Sequence, residues 1–594
     1  MADHTSSREW AAPRWRKADH SADMRMVVLA AMAMVVGTGG ALGAWALMRL
    51  IAIATNLFWF GRLSTAPVVP GDAHLGVLIV AVPVVGSLIV GVMARYGSDK
   101  IRGHGIPEAI ETILYGESRL SLKVALLKPL SSAISIGSGG PFGAEGPIIM
   151  TGGAIGSLFA QCFHLSAAER KTLLVAGAAA GMTAIFATPL AAVLLAVEVL
   201  LFEWKPRSFV PVVMAALVAH AWRPLLLGAG PMFALAPGVA PVPGILGLAG
   251  ALALGVVVGL EAAALSWLLY RVEDLFHRLP LHWMWWPALG AVAVGLGGLA
   301  DARVLGAGYG TIQALLDGAL PVRVVLTLLL LKATVWLVAL GSGTSGGVLA
   351  PLLILGGAAG FLAGQVLPGG AAAWALLGMA AIMSGAMRAP LTGALFAAEL
   401  TGRFDLLPAA LLAAGAAYGA SVLIMRRSIL TEKIARRGRH ILQEYTVDPL
   451  DLVQAGQIMA EGVDTLPGTM TIAQATQFLS GPARYRSYPV VDAGGVLLGM
   501  VSRADALRWQ GDLALAEVRL ADAVSDAGQM VVHADTPAGA VADLILESGE
   551  GRLPVVEPGS GRVIGLVTRH DLLKARHRAQ QAETARSRFA AMPA

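Results

Sequence analysis

Long apolar runs interrupted by glycine and proline dominate the first three quarters of the chain. They begin at Met26–Ala52 and Leu75–Ala94 and continue over 122–160, 172–201, 209–228, 243–270, 283–300, 321–340, 347–366, 371–400 and 406–425. A straight helix crosses the ~30 Å hydrocarbon layer of a bilayer with about 20 residues. Several runs are longer than one crossing and others shorter, so the pattern predicts tilted and re-entrant helices. Beyond about residue 445 charges become frequent, and apolar residues fall into short strand-like runs such as Tyr488–Val491 and Val496–Val501. A soluble domain therefore follows a membrane domain.

Composition agrees with this division. Of 594 residues 56% are hydrophobic and 14% charged, with 71 glycines, the balance of an integral membrane protein. Basic residues stand at Arg8, Arg14, Arg16 and Lys17 and again at Arg426, Arg427, Lys433, Arg436, Arg437 and Arg439. Both clusters predict cytoplasmic ends, and the run after the first is too long for a secretory leader. Cys162 is the single cysteine, which excludes an intramolecular disulfide and argues against a metal cluster. No nucleophile–base pair or His/Asp/Glu cluster occurs in the apolar part, so nothing predicts an enzyme. Nothing predicts a nucleic-acid partner either.

The informative stretch is GSGGPFGAEGPIIMTGGAIG, Gly137 to Gly156. Its glycines and prolines interrupt a membrane helix, and irregular backbone survives at that depth only where it lines a polar cavity. Pro147 suits the first turn of a new helix, whose unpaired N–H groups favour an anion. One carboxylate, Glu145, stands in the mouth of that position. A helix-start acid stabilising its own N-terminus is the plainer reading. A charge at mid-membrane depth is costly, by about 2.5 kcal/mol or more, which favours a gate.

The pattern recurs. GSGTSGGVLAP (341–351) again has GSG at the start and a proline ten residues after the first glycine. PLAAVLLAVE (189–198) and PLTGALFAAE (390–399) share a proline-to-glutamate spacing, and Glu198 and Glu399 read as structural, hydrogen-bonded acids. Interrupted segments in corresponding places of two halves point to a transport site at a repeat interface. GAGYG at 306–310 looks like a potassium filter, but it is a single copy where four-fold carbonyl rings would be needed. The soluble part is a second duplication: YPVVDAGGVLLGMVSRAD (488–505) is echoed by LPVVEPGSGRVIGLVTRHD (553–571), each reading strand, turn, strand and a Ser/Thr-x-x-Asp helix start. That pattern resembles a tandem CBS pair.

Together these motifs resemble the CLC family of chloride channels and chloride/proton antiporters, from residue 26 to 578. GHGIPE (103–108) is similar to that family's GSGIP, GAEGP (143–147) to GxEGP, and GGVLAP (346–351) to GxFxP; VLGAGYGTI (304–312) and SILTEKIARRG (428–438) add support. The resemblance implies an all-α polytopic membrane protein of CLC-type inverted repeat, with broken and tilted helices, followed by an α/β tandem CBS domain. The expected division is a cytoplasmic tail 1–25, a transmembrane domain 26–440, CBS modules 452–510 and 518–578, and a C-terminal tail 579–594. It further implies a homodimer in the lipid bilayer with one pore per subunit, and a bacterial inner membrane with the N-terminus and CBS pair cytoplasmic.

Carried over by position, Glu145 falls on the gating glutamate. The N–H groups of Ala144 to Gly146 and of Val348 and Leu349 fall on anion contacts. Three departures stand out: His104 replaces the pore serine, Leu430 the pore tyrosine, and Val199 the inner proton-relay glutamate. The first two remove hydroxyl donors, leaving a titratable ring and an apolar constriction; a protonated His104 would raise flux below roughly pH 6.5. Lys128 reads either as a snorkelling residue or as a basic group beside the anion path, and Glu108 and Glu111 as first-turn helix acids. Ser502, Asp505, Thr568 and Asp571 fall on the positions that hold adenine nucleotide in such modules, as ATP, ADP or AMP, although many CBS pairs are structural. No cofactor is required, and the ligand is chloride or another small anion. The missing relay carboxylate favours a passive, gated anion channel. The alternatives are a proton-coupled antiporter of the same fold and, more remotely, a transport-inactive nucleotide-sensing scaffold.

Overall fold

The computed structural model describes residues 24–235, 244–439, 450, 453–510, 513–524 and 531–589. Those up to Arg439 and those from Leu450 onward belong to two compact units, and each is described by itself.

The first unit is helical and built twice over. Its first half comprises α1 (Met24–Phe60), α2 (Ala81–Val92), α3 (Ile106–Tyr115), α4 (Leu122–Gly137), α5 (Glu145–Gln161), α6 (Ala167–Phe186), α7 (Pro189–Leu195) and α8 (Pro206–Leu226). The second comprises α9 (Gly244–His277), α10 (Trp286–Ala300), α11 (Tyr309–Leu316), α12 (Val322–Gly341), α13 (Leu349–Ala363), α14 (Ala371–Met387), α15 (Pro390–Thr401) and α16 (Leu407–Ile424), with α17 (Thr431–Arg436) closing the unit. Each helix of the first half packs as does the helix eight places later. α1 lies on α6 and α8 as α9 lies on α14 and α16, and α5 pairs with α6 as α13 pairs with α14. The halves join through α2 against α10 and α7 against α15.

Close backbone approach holds each half together. A methyl group at Gly177 would lie 2.1 Å from the Gly152 carbonyl, and one at Gly378 would lie 2.0 Å from the Gly356 carbonyl. In lipid, where apolar burial separates helices poorly from their surroundings, such small-residue contacts carry much of the packing.

Among the described residues seven helices are long and apolar enough to cross a membrane. The others explain the awkward lengths of the sequence runs. Run 122–160 is α4 and α5 separated by a break at 138–144; run 172–201 is α6, α7 and a π-helical turn; run 371–400 is α14 and α15. The last two breaks match: Ala187 (φ 59°) and Arg388 (φ 61°) both adopt the left-handed conformation two residues before the proline that opens the next helix. α5 has 17 residues, about 25 Å at 1.5 Å per residue, less than the bilayer core.

The second unit holds two hairpin modules. After α18 (Ala455–Ile458), which packs on the second module, one module holds β1 (Leu466–Pro467), α19 (Ile472–Ser480), β2 (Ser487–Val491), β3 (Leu497–Ser502) and α20 (Arg503–Trp509), with β1 parallel and β3 antiparallel to β2. The short α21 (Leu520–Ala523) packs back on this module, and the other module holds α22 (Ala538–Ser548), β4 (Arg552–Val556), β5 (Val563–Thr568) and α23 (Arg569–Phe589), with β4 and β5 antiparallel. Tyr488 faces Val501 and Leu553 faces Val567, matching positions of the duplication. Leu497, Val531 and Val556 form a small buried cluster that spans both modules.

Candidate functional site

Three glycine-rich loops interlock at the centre of the first unit. Gly103 N–H donates to Thr344 O at 2.8 Å, Gly346 N–H donates to Gly103 O at 3.4 Å, and Gly103 and Ser345 form a parallel bridge. The loop before α5 lies against both: a methyl at Gly146 would come within 2.0 Å of the His104 carbonyl, and one at Gly347 within 2.4 Å of the Gly143 carbonyl. Only glycine permits this approach, which brings the N-termini of α3, α5 and α13 together. Each end offers unpaired N–H groups and a partial positive charge.

Glu145, the first residue of α5, fills the space between these ends. It is 0% exposed, and neither carboxyl oxygen makes a hydrogen bond of normal geometry among the described residues. Its own amide and that of Ala350, in the first turn of α13, approach it loosely. A methyl at Gly347 would lie 2.9 Å from Glu145 Oε2. Of the anion contacts expected from the sequence, Gly146, Val348 and Leu349 lie at these two helix starts, and Ala350 is the additional one. Ala144 differs: its N–H donates to the Tyr309 hydroxyl at 3.3 Å.

Charged groups gather on the α3 side. Lys128 does not snorkel: it is 1% exposed and donates to Ile101 O (2.9 Å), Gly103 O (2.7 Å) and Ser345 Oγ (3.1 Å). Ser131 and Ser132 also reach Ser345 Oγ. Glu108 is ion-paired with Lys433 at 2.8 Å and with Arg437 at 3.4 Å, and Glu111 pairs with Arg437 and Arg439. These acids are thus more than helix-start charges, because they fasten α17 to α3. His104 is 3% exposed, with both ring nitrogens unpartnered among the described residues, and faces Lys433, Glu108 and Lys128. Leu430 is fully buried at the start of α17. Its neighbour Ile429 is anchored by its N–H to Ala386 O (3.2 Å) and by the Tyr270 hydroxyl to its carbonyl (2.6 Å).

Val199 is 0% exposed in the π-helical turn after α7. Beside it, Glu198 accepts from Thr392 N (2.9 Å), Thr392 Oγ1 (2.6 Å) and Leu391 N (3.3 Å), capping α15. Glu399 returns the contact, accepting from Leu190 N (3.0 Å) and Ala191 N (2.8 Å) at the start of α7.

In the second unit Asp505 Oδ2 accepts from Ser502 N and Oγ, and Asp571 Oδ2 from Thr568 N (2.9 Å) and Oγ1 (2.6 Å). Arg508 additionally bonds Asp505 Oδ1.

Sequence reasoning missed Tyr309. Its motif, GAGYG, was weighed as a cation filter, and the comparison that reveals it is with GHGIPE. Gly103 and Gly105 (φ 77° and 88°) form a hook into α3, and Gly306 and Gly308 (φ 64° and 72°) form the counterpart hook into α11. The two Gly-x-Gly-x spacings were visible in the sequence.

Half-helices meeting N-terminus to N-terminus at a repeat interface, around a buried carboxylate, define a membrane transport protein. The profile of the family described as voltage gated chloride channel matches residues 85–422, more than half of the chain, and the CBS domain profile matches 455–512 and 524–578. The chain belongs to the voltage-gated chloride channel, or CLC, family and carries a C-terminal CBS pair. It is 31% identical over 375 residues to the voltage-gated ClC-type chloride channel ClcB of Citrobacter koseri, covering 61% of this chain and 85% of that one. The structure of a slow cyanobacterial Cl-/H+ antiporter superposes with a TM-score of 0.60 at 22% identity, covering 70% of this chain and 99% of the other. That of a eukaryotic CLC transporter superposes with a TM-score of 0.58 at 21% identity over 92% of this chain and 98% of the other.

Proposed function

We propose that this protein passes chloride or a similar small anion between the N-termini of α5 and α13, with Glu145 as the gate and without tight coupling to protons. The observation that carries the reading is the Glu145 carboxyl group, wholly buried, without a hydrogen bond of normal geometry among the described residues and set at helix N-termini. A negative group at such a place occupies an anion position. Protonation, or competition by an incoming anion, would release it.

The uncoupled part of the reading rests on α7 and the turn after it. A proton crossing the interior needs titratable groups or water on both legs. Val199 cannot carry one, and Glu198 is committed to capping α15 through three hydrogen bonds. Proton-coupled exchange is the second reading, suggested by the fold shared with the solved cyanobacterial Cl-/H+ antiporter. A reversal-potential measurement in proteoliposomes under opposed chloride and proton gradients separates the two. A potential that follows chloride alone supports the passive reading, and uphill proton movement driven by chloride sinks it.

We also infer a homodimer with one path per subunit, a cytoplasmic CBS pair in a bacterial inner membrane, and adenine nucleotide as the ligand of that pair. The family and domain matches support these readings.

A further inference from the structure

The hydroxyl that Leu430 lacks has a counterpart on the other side of the site. In an inverted repeat, corresponding elements approach from opposite faces of the membrane. The hook Gly103-His104-Gly105 leads into α3, and Gly306-Ala307-Gly308 leads into α11. Each hook is held by a buried lysine one helix onward: Lys128 donates to Ile101 O and Gly103 O, and Lys332 to Val304 O (2.8 Å) and Gly306 O (3.2 Å). The second hook delivers Tyr309 to the start of α5.

Its hydroxyl oxygen accepts the Ala144 N–H, and its ring is steadied by Phe233, with centroids 6.1 Å apart. Accepting that bond leaves the phenolic proton free to donate and polarises it. The residue it bonds, Ala144, directly precedes Glu145, whose two carboxyl oxygens have no hydrogen bond of normal geometry among the described residues and so remain open to a donor.

We propose that Tyr309 is the hydroxyl donor on the α11 side of the anion path, holding the Glu145 carboxylate when that side chain fills the position and a halide when the carboxylate leaves. The donor set around Glu145 is then the Ala350 amide on α13, its own amide on α5 and the Tyr309 phenol on α11. The proposal rests on the gate reading of Glu145 for its first half only.

The test is chloride flux against pH, with chloride affinity by calorimetry, on wild type, Tyr309→Phe, Glu145→Gln and the double variant. Tyr309→Phe keeps the ring and its packing, so a monodisperse, folded protein is expected. A donor lost from a carboxylate makes that group easier to protonate. The pH of half-maximal flux should therefore rise by about one unit, tenfold in proton concentration, and the chloride Kd should rise roughly fivefold. In the Glu145→Gln background the affinity loss should persist with no pH midpoint to move. A purely structural tyrosine would lower flux at every pH without moving midpoint or Kd, and that result overturns the proposal. If Glu145→Gln alone leaves the pH profile intact, the gate reading fails separately. The Kd of Tyr309→Phe then still decides: weakened binding supports the hydroxyl's role in the path, and unchanged binding removes it.

Discussion

Glu198 and Glu399 cap each other's repeat. The carboxylate that ends the α7 segment binds the first N–H groups of α15, and the one on α15 binds those of α7. Each cap joins an acid to a helix N-terminus, an interaction of about 1–2 kcal/mol in a partly buried setting. Glu198→Gln and Glu399→Gln each turn one acceptor oxygen into a donor facing an N–H. Both variants should melt several degrees below wild type in detergent, and the reversal potential of Glu198→Gln should stay that of wild type. A changed potential would mean that Glu198 carries protons rather than a cap.

Lys128 and Lys332 make a second matched pair. Replacing Lys332 by Met orphans two buried carbonyls, and replacing Lys128 orphans Ile101 O and leaves Gly103 O only the 3.4 Å bond from Gly346, at about 1–3 kcal/mol for each lost partner. Thermal unfolding should show comparable losses for Lys128→Met and Lys332→Met, because the hooks they hold are equivalent. Lys128 also reaches Ser345, in the loop before α13, so Lys128→Met should additionally reduce chloride flux at a temperature where the protein stays folded. Stability equal to wild type in either variant would show that its hook holds without the lysine.

We expect His104 to contribute a donor rather than a charge, since both ring nitrogens are buried without a partner among the described residues. Lys433 and Lys128 face the ring, and the one carboxylate nearby, Glu108, is already paired with Lys433. A third buried cation beside these two ammonium groups is disfavoured. A rise in flux near pH 6.5 through this imidazole, the expectation from sequence, is therefore not predicted. In a Glu145→Gln background, His104→Phe should raise the chloride Kd roughly 5- to 30-fold for one lost hydrogen bond, leaving the pH profile flat. An unaltered Kd would take His104 out of the path.

At the CBS pair the two aspartates are not equivalent. Arg508 occupies the second oxygen of Asp505, while Asp571 shows no such arginine contact among the described residues. If adenine nucleotide binds, its ribose hydroxyls should depend more on Asp571. Thermal shifts of the full chain with ATP, ADP and AMP should be reduced more by Asp571→Asn than by Asp505→Asn. No shift with any nucleotide would leave the pair a structural element.

How much was legible in the sequence followed from how local each signal is. The helix starts at Glu145 and Leu349 lie in segments rich in glycine and proline, whose backbone constraints act on the spot. The repeat was visible because GSG and Pro-Leu recur at fixed spacings. The number and length of helices was not, because an apolar run does not record where a left-handed residue such as Ala187 or Arg388 ends one helix. Lys128 could not be assigned, since a lysine among apolar residues points outward or inward according to which carbonyls lie nearby. Tyr309 was missed because the matching Gly-x-Gly hooks mark where α11 begins but not what its first residue touches, its partner Ala144 lying 165 residues away.

The claim on which the rest depends is that Glu145 is the gate, and chloride efflux from proteoliposomes tests it most directly. Gln keeps the shape of the side chain and removes its charge. Glu145→Gln should give faster efflux than wild type at neutral pH and a profile that no longer varies with pH, whereas wild type should quicken as pH falls. Efflux of wild-type rate with wild-type pH dependence in that variant would contradict the account.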